Sequence, residues 1–140
     1  MQIKNHLIGS SKFRAALCVI LLLTEHGGTL TSSEMAQQLN VHAAYLRKIM
    51  SALQKAGMVE AKEGQDGGYK LKHPGSDITL ADVYDAVREV KKSQTVTFCQ
   101  WTTSINDSLA KLMLGVDECT ISYLKEIKAT DMISSLSNSN

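Results

Sequence analysis

The sequence predicts a mainly α protein with one small β-hairpin, organised as a compact N-terminal unit and a long C-terminal helix. Three observations carry that prediction. Residues 29–72 hold two short amphipathic helices joined by a three-residue turn and followed at once by a glycine-tipped hairpin. From Ile105 to Tyr123 apolar residues recur in steps of 4, 3, 4, 3 and 4, the spacing of a heptad seam. Pro74 is the single proline, so long helices are permitted nearly everywhere else.

A chain of 140 residues suits one domain with one core and an appended helix for assembly. The longest apolar run, Ala15 to Leu23, is about half the length a membrane-spanning helix needs. No charged leader or small-residue cleavage site precedes it, so a cytoplasmic location and no membrane partner are expected. Net charge is only +1, yet it is unevenly divided. Residues 1–74 carry nine Lys or Arg against five Asp or Glu, a net +4, and residues 75–140 carry six against nine, a net −3. That polarity is what a phosphate-facing surface and a remote acidic module produce. The three cysteines, Cys18, Cys99 and Cys119, are odd in number and lack metal-like spacing. A disulfide framework, a zinc finger or any other metal site is therefore not expected.

In chain order, Ser10 and Ser11 can cap a first helix whose inner face is marked by Phe13, Leu17, Ile20, Leu21 and Thr24, with His26-Gly27-Gly28 as its stop. Cys18 in this run reads as a small buried hydrophobe. The second helix opens at Thr31-x-x-Glu34, a capping box in which the hydroxyl takes the Glu34 amide and the carboxylate reaches back. It continues through Met35, Ala36 and Leu39 and stops at Leu39-Asn40-Val41. The third, from His42 to Ala56, places Leu46, Ile49, Leu53 and Ala56 on one stripe, and Gly57 ends it. His42 is a poor cap, so either Val41-His42 enters a groove or the helix begins frayed.

Two short strands follow, Met58–Lys62 and Tyr69–Lys72, around Gly64-Gln65-Asp66-Gly67-Gly68 with an Asp-Gly turn. A fourth helix runs from Thr79 to Val90, with Thr79-x-x-Asp82 as its cap and Leu80, Val83, Ala86 and Val87 as its apolar stripe. Lys91 to Gln94 read as a linker. The long helix spans Thr102 to Ile127, and its seam Ile105, Leu109, Leu112, Val116, Cys119 and Tyr123 is roughly 36 Å of helix side. Its partner is either its own domain or the same helix of a second copy, and paired wings favour the second copy. Gly115 permits a close helix crossing or a kink. Ser134 to Asn140 read as a frayed tail.

A helix-turn-helix followed by a hairpin is a winged helix, and its second helix is the right size for the major groove of double-stranded DNA. With Leu46 turned to the core, Ala44, Lys48, Ser51 and Lys55 fall opposite it, with Arg47 and Gln54 beside them. The expected DNA-contacting residues are His42, Ala43, Ala44, Arg47, Lys48 and Ser51 on this helix and Thr31, Ser32 and Ser33 on the one before it. In the wing they are Lys62, Gln65, Asp66, Gly67, Gly68 and Lys70, while Tyr69 is expected to pack beneath. No nucleophile–base pair, phosphate loop or metal-spaced His/Cys set is visible, so the chain is not read as an enzyme.

These residues form a pattern. Tyr45-Leu46-Arg47-Lys48, Leu53-Gln54-Lys55-Ala56-Gly57-Met58-Val59, Gly67-Gly68-Tyr69-Lys70-Leu71 and Ile78-Thr79-Leu80-Ala81-Asp82-Val83, in this order, resemble the Rrf-two family of bacterial winged-helix transcription regulators. The resemblance runs from Ser11 to Val90, with a weaker echo at Leu124 to Ile133. It implies a homodimer crossed by the long helix, bound to a palindromic operator and usually repressing. It also implies that Arg47 and Lys48 occupy the base-reading positions. Glu63 stands where family members often place a wing arginine, which points to a different operator.

Cluster-binding members carry three closely spaced cysteines between the fourth and the long helix, whereas this chain has Cys99 alone there. The resemblance is therefore to members without a cluster, and no iron-sulfur cluster or other cofactor is expected. Cys99 is either a redox switch, where oxidation adds bulk beside the dimer module, or an incidental cysteine beside Phe98 and Trp101. The expected organisation is a DNA-binding unit over 1–90, a linker or sensor segment over 91–101, and a dimerisation helix with tail over 102–140. The effector, an oxidant or a small molecule, stays open, as do two other functions: a winged helix that binds protein without an operator, and an iron-sulfur-dependent regulator.

Overall fold

The computed structural model describes residues 11–88 and 100–137. In order these form α1 (Ser11–His26), α2 (Ser32–Leu39), α3 (Ala43–Lys55), β1 (Val59–Lys62), β2 (Gly68–Leu71), a 3-10 turn at Gly75–Asp77, α4 (Leu80–Val87), α5 (Gln100–Lys125) and α6 (Ala129–Ser137). The mainly α class with a single hairpin is as predicted.

α1 is the central helix, touching α2, α3, α4 and α6. It buries Phe13, Ala16, Val19, Ile20 and Leu23, while Leu17, Leu21 and Thr24 are only half-buried. The sequence reading placed the inner face a fraction of a turn away, because the stretch from Ala15 to Leu23 is so uniformly apolar that periodicity alone cannot orient it. That rotation turns Cys18 out to solvent, contrary to its expected burial. Ser10 lies outside the described residues.

α2 begins with the expected capping box: Thr31 Oγ1 accepts from the Glu34 amide at 3.2 Å, and the Glu34 carboxylate accepts from the Thr31 amide at 2.8 Å. Asn40 ends the helix in the left-handed conformation, φ 52°, and its amide turns back onto Ala36 and Gln37. Asn40 to His42 form the three-residue turn. α3 then buries Leu46, Ile49, Met50 and Leu53. Ala56, expected on that stripe, is exposed at the C-cap, and Met50 takes the fourth place because position i+4 lies nearer the stripe than i+10. Gly57, at φ 76°, lets its own amide reach Gln54 O and the Met58 amide reach Leu53 O, both at 3.0 Å. This double reversal drops the buried Met58 back onto the core and starts β1.

β1 and β2 pair antiparallel in the register Val59↔Leu71 to Lys62↔Gly68. The reversal is longer than an Asp-Gly hairpin turn. Residues 63–67 separate the strands, closed by the Gly67 amide on Gly64 O at 3.0 Å. A third segment joins the sheet edge, where Leu30 pairs with Tyr69.

α4 ends at Val87 rather than Val90, since Arg88 is already extended. Lys91 to Gln94 and Cys99 lie outside the described residues. α5 starts two residues earlier and ends two residues earlier than expected. The tail also differs: Ser134 to Ser137 belong to α6, which packs on α1. Serine disfavours helix interiors, but here the Ser134 and Ser135 hydroxyls donate to Thr130 O and Asp131 O at 3.0 Å, and the buried Ala129 with half-buried Met132 and Ile133 supplies apolar contact. Residues 138–140 lie outside the described residues.

Candidate nucleic-acid interface

α3 is held by Leu46, Ile49, Met50 and Leu53 so that its opposite side is solvent-facing along its whole length. His42, Ala43, Ala44, Arg47, Lys48 and Ser51 are all exposed. Among the described residues neither Arg47 nor Lys48 is engaged by a carboxylate, which leaves both cations available. His42 is the N-cap, extended at φ −69° and ψ 141°, and its side chain makes no cap bond. The N-terminus of α3 therefore lacks a side-chain cap bond from His42, and Arg47 and Lys48 follow about one turn further on.

At the start of α2, Thr31 and Ser33 are exposed and Ser32 is half-buried. Glu34 sits among them, its carboxyl held below the usual 4.5 chiefly by the hydrogen bond from the Thr31 backbone and then by the Thr31 hydroxyl. The carboxylate therefore serves the helix cap instead of opposing the cations of α3.

In the wing, Lys62, Gln65 and Asp66 are exposed at the tip. Lys70 is exposed as well but pairs across the strands with Glu60 at 3.0 Å. Both partners are nearly half-exposed, so this pair is weak and yields to a stronger anion. Gly67 and Gly68 are half-buried against backbone: a Cβ on Gly67 would stand 2.7 Å from Lys62 O, and one on Gly68 would collide with the Leu30 carbonyl. They frame the hairpin while Lys62, Gln65 and Asp66 present its tip. Tyr69 packs against the core, as expected. Behind the wing, a cleft lined by His73, Asp77, Asp82 and Asp85 is acidic, so the cationic surface ends there.

The remaining sites lie on α5. Ile105, Leu109, Leu112, Val116 and Tyr123 are exposed by 38 to 64%, and Cys119 is exposed with them. The whole expected seam therefore faces away from its own domain. Met113 and Leu114, which sequence periodicity did not single out, are exposed too. The other side of α5 docks at home through the buried Leu124 and through Asp117, which accepts from Tyr84 at 3.3 Å. Neither Tyr84 nor Asp117 was singled out from sequence, because they lie 33 positions apart on separate helices.

The Rrf2 model, described as iron-dependent transcriptional regulator, matches residues 9–135. The chain belongs to the Rrf2 family. It is 43% identical over 79 residues to YwgB of Bacillus subtilis, covering 55% of this chain and 51% of that protein. It is 35% identical over 75 residues to IscR of Cereibacter sphaeroides, named an HTH-type transcriptional regulator, covering 53% and 48%. The chain thus spans about half the length of these relatives. Among solved structures, a Lactobacillus plantarum protein superposes with TM-score 0.75 at 26% identity, over 90% of this chain and 89% of that one. The global cysteine regulator CymR of Bacillus subtilis superposes with TM-score 0.66 at 21% identity, over 90% and 95%, which shows a shared fold.

Among the described residues the family model's iron finds no donor set. The chain has three thiols in all, Cys18 and Cys119 stand on different helices, and no group of three metal-ligating side chains occurs among the described residues. A cluster commonly needs four ligands brought together.

Proposed function

We propose that this chain is a cytoplasmic transcriptional repressor that binds a palindromic duplex as a homodimer, without a resident metal or cluster and without enzymatic activity. The observation that carries this reading is the exposed face of α3, where Arg47 and Lys48 pair with no carboxylate among the described residues. Docked in a major groove, that face offers Arg47 for bidentate contact with a guanine edge and Lys48 for phosphate. Thr31 to Ser33 at the start of α2 then meet one backbone, and the wing tip at Lys62 and Gln65 meets another.

The dimer is supported by the seam on α5. Five large apolar side chains exposed along one helix side are costly to leave in water, and two-fold pairing of the same helix removes them together. It also doubles the α3 faces, which a palindrome requires. No described helix is long and apolar enough to cross a membrane, which suits this role.

For regulation the reading retains Cys99. It lies outside the described residues, and in sequence it immediately precedes the first residue of α5. An oxidant acting there would add bulk or a cross-link where the two units join.

The decisive experiment selects duplexes from a random pool with the full chain, then measures affinity for the winner and for a scrambled competitor across salt. Preference for the winner is expected, with log affinity falling by roughly 0.9 per phosphate contact for each decade of salt. Equal affinity for both duplexes, or none, would overturn the proposal in favour of a winged helix that binds protein.

A further inference from the structure

Besides the half-buried Ile121, which packs on the core, α5 meets its own domain at two hydrogen-bonded joints of different chemistry. The first is main-chain: the Leu80 amide donates to Ile127 O and the Ala129 amide to Ile78 O, both at 2.9 Å, beside the buried Leu124. The second lies seven residues before Leu124, roughly 10 Å along the helix, at Asp117. Tyr84 OH donates to its Oδ1 at 3.3 Å, and Arg88 Nη1 lies 4.0 Å from its Oδ2.

Both partners are themselves held. The Tyr84 ring meets Phe13 of α1 edge-on, centroids 5.6 Å apart at 80°, and the Arg88 guanidinium stands 6.0 Å from the same ring. Arg88 Nε also pairs with Asp85 at 3.1 Å. Burial first, and the Asp117 carboxylate second, push the Tyr84 phenol above its ordinary 10.0.

We infer that Asp117 is a positioning residue: with Tyr84 and Arg88 it fixes the angle between α5 and the winged helix, and so selects the half-site spacing that the dimer accepts. The inference rests on the proposed reading of a DNA-binding dimer. Two joints define the direction of a rod, whereas one leaves it free to swing. Beyond Asp117 the seam continues from Val116 to Ile105 with exposed side chains, a lever of roughly 18 Å. Rotation at Asp117 is therefore amplified at the seam and doubled by two-fold symmetry. A solvent-accessible ion pair adds little stability, so this joint contributes to direction more than to folding.

The test uses the full chain and the duplex it selects from a random pool, remade with one base pair inserted or removed between half-sites. Each such change moves a half-site by about 3.4 Å and turns it by about 35°. Wild type is expected to lose on the order of tenfold in affinity per change. Asp117→Ala and Tyr84→Phe are expected to flatten that penalty to about twofold, on the same scale of site discrimination, with dimer mass and single half-site affinity unchanged. The double variant should be no flatter than Asp117→Ala, and Asp117→Asn, which still accepts from Tyr84, should recover most of the penalty. If Asp117→Ala fails to fold, Tyr84→Phe, which removes one oxygen, carries the test.

Folded, dimeric variants with the wild-type spacing profile would overturn the inference. So would a wild type that selects a duplex yet ignores spacing, which leaves the proposed function standing. A wild type that selects no duplex removes both.

Discussion

Leu30 and Tyr69 exchange both of their main-chain hydrogen bonds, Leu30 N to Tyr69 O at 3.0 Å and Tyr69 N to Leu30 O at 2.8 Å. This pair ties the wing to the segment that enters α2. It brings Gly68 so close that an added Cβ would strike the Leu30 carbonyl, at a φ of 147° that side chains rarely adopt. Gly68→Ala should therefore cost about 3 kcal/mol in urea unfolding. A change below about 1 kcal/mol, within the range of ordinary surface substitutions, would show that the wing can part from Leu30 at little cost.

Thr31→Ala removes the hydroxyl of the α2 capping box and should lower stability by about 1 kcal/mol. The acid response follows from Glu34, whose carboxyl titrates below 4.5 in the folded chain. Its contribution is complete above that value and fades as the pH falls through the depressed one. Denaturant midpoints should converge between wild type and Glu34→Gln on acidification; a gap that widens instead would contradict the sign.

Arg47→Ala should weaken binding to the selected duplex by about 1 to 3 kcal/mol and relax preference at one base position. Lys62→Ala should weaken all duplexes alike and reduce the salt slope by about 1. Competition titrations separate the two, and a uniform loss for Arg47→Ala would reassign it to phosphate.

Leu109→Asp and Leu112→Asp place charges on a seam whose residues are 52% and 62% exposed in the single chain. Helical circular dichroism should persist while sedimentation shifts to the single-chain mass. Each substitution removes about 1.5 to 3 kcal/mol of apolar burial per subunit. Unfolding, rather than dissociation, would mean that the seam packs within one chain.

The thiols divide cleanly by substitution. Cys99→Ser should bind DNA normally yet fail to release it on peroxide treatment, whereas Cys18→Ser and Cys119→Ser should release like wild type. Both of the latter are exposed in the single chain, so release that disappears in either variant would relocate the sensor.

Local chemistry made much of the helical framework readable in advance. The Thr31–Glu34 box, Asn40 at the turn, Gly57 after α3 and the Thr79–Asp82 box all act within a few residues of themselves, and each ends or starts a helix near its expected place. The exposed side of α3 followed from its buried stripe. Where the stripe was ambiguous, as in α1, the outward turn of Cys18 was missed. The serine-rich stretch after Ile133 looked unable to hold a helix, since its stabilising contacts with α1 come from the far end of the chain.

By itself, the amino-acid order determined which segments coil, where they stop and which helix side carries cations, because propensity, capping and periodicity are short-range. Folding in three dimensions alone decided that Leu30 completes the wing, that α6 returns to α1, and that Asp117 meets Tyr84. Those contacts join residues whose separation along the chain carries no periodic signal, and they form only when the shared core brings their helices together.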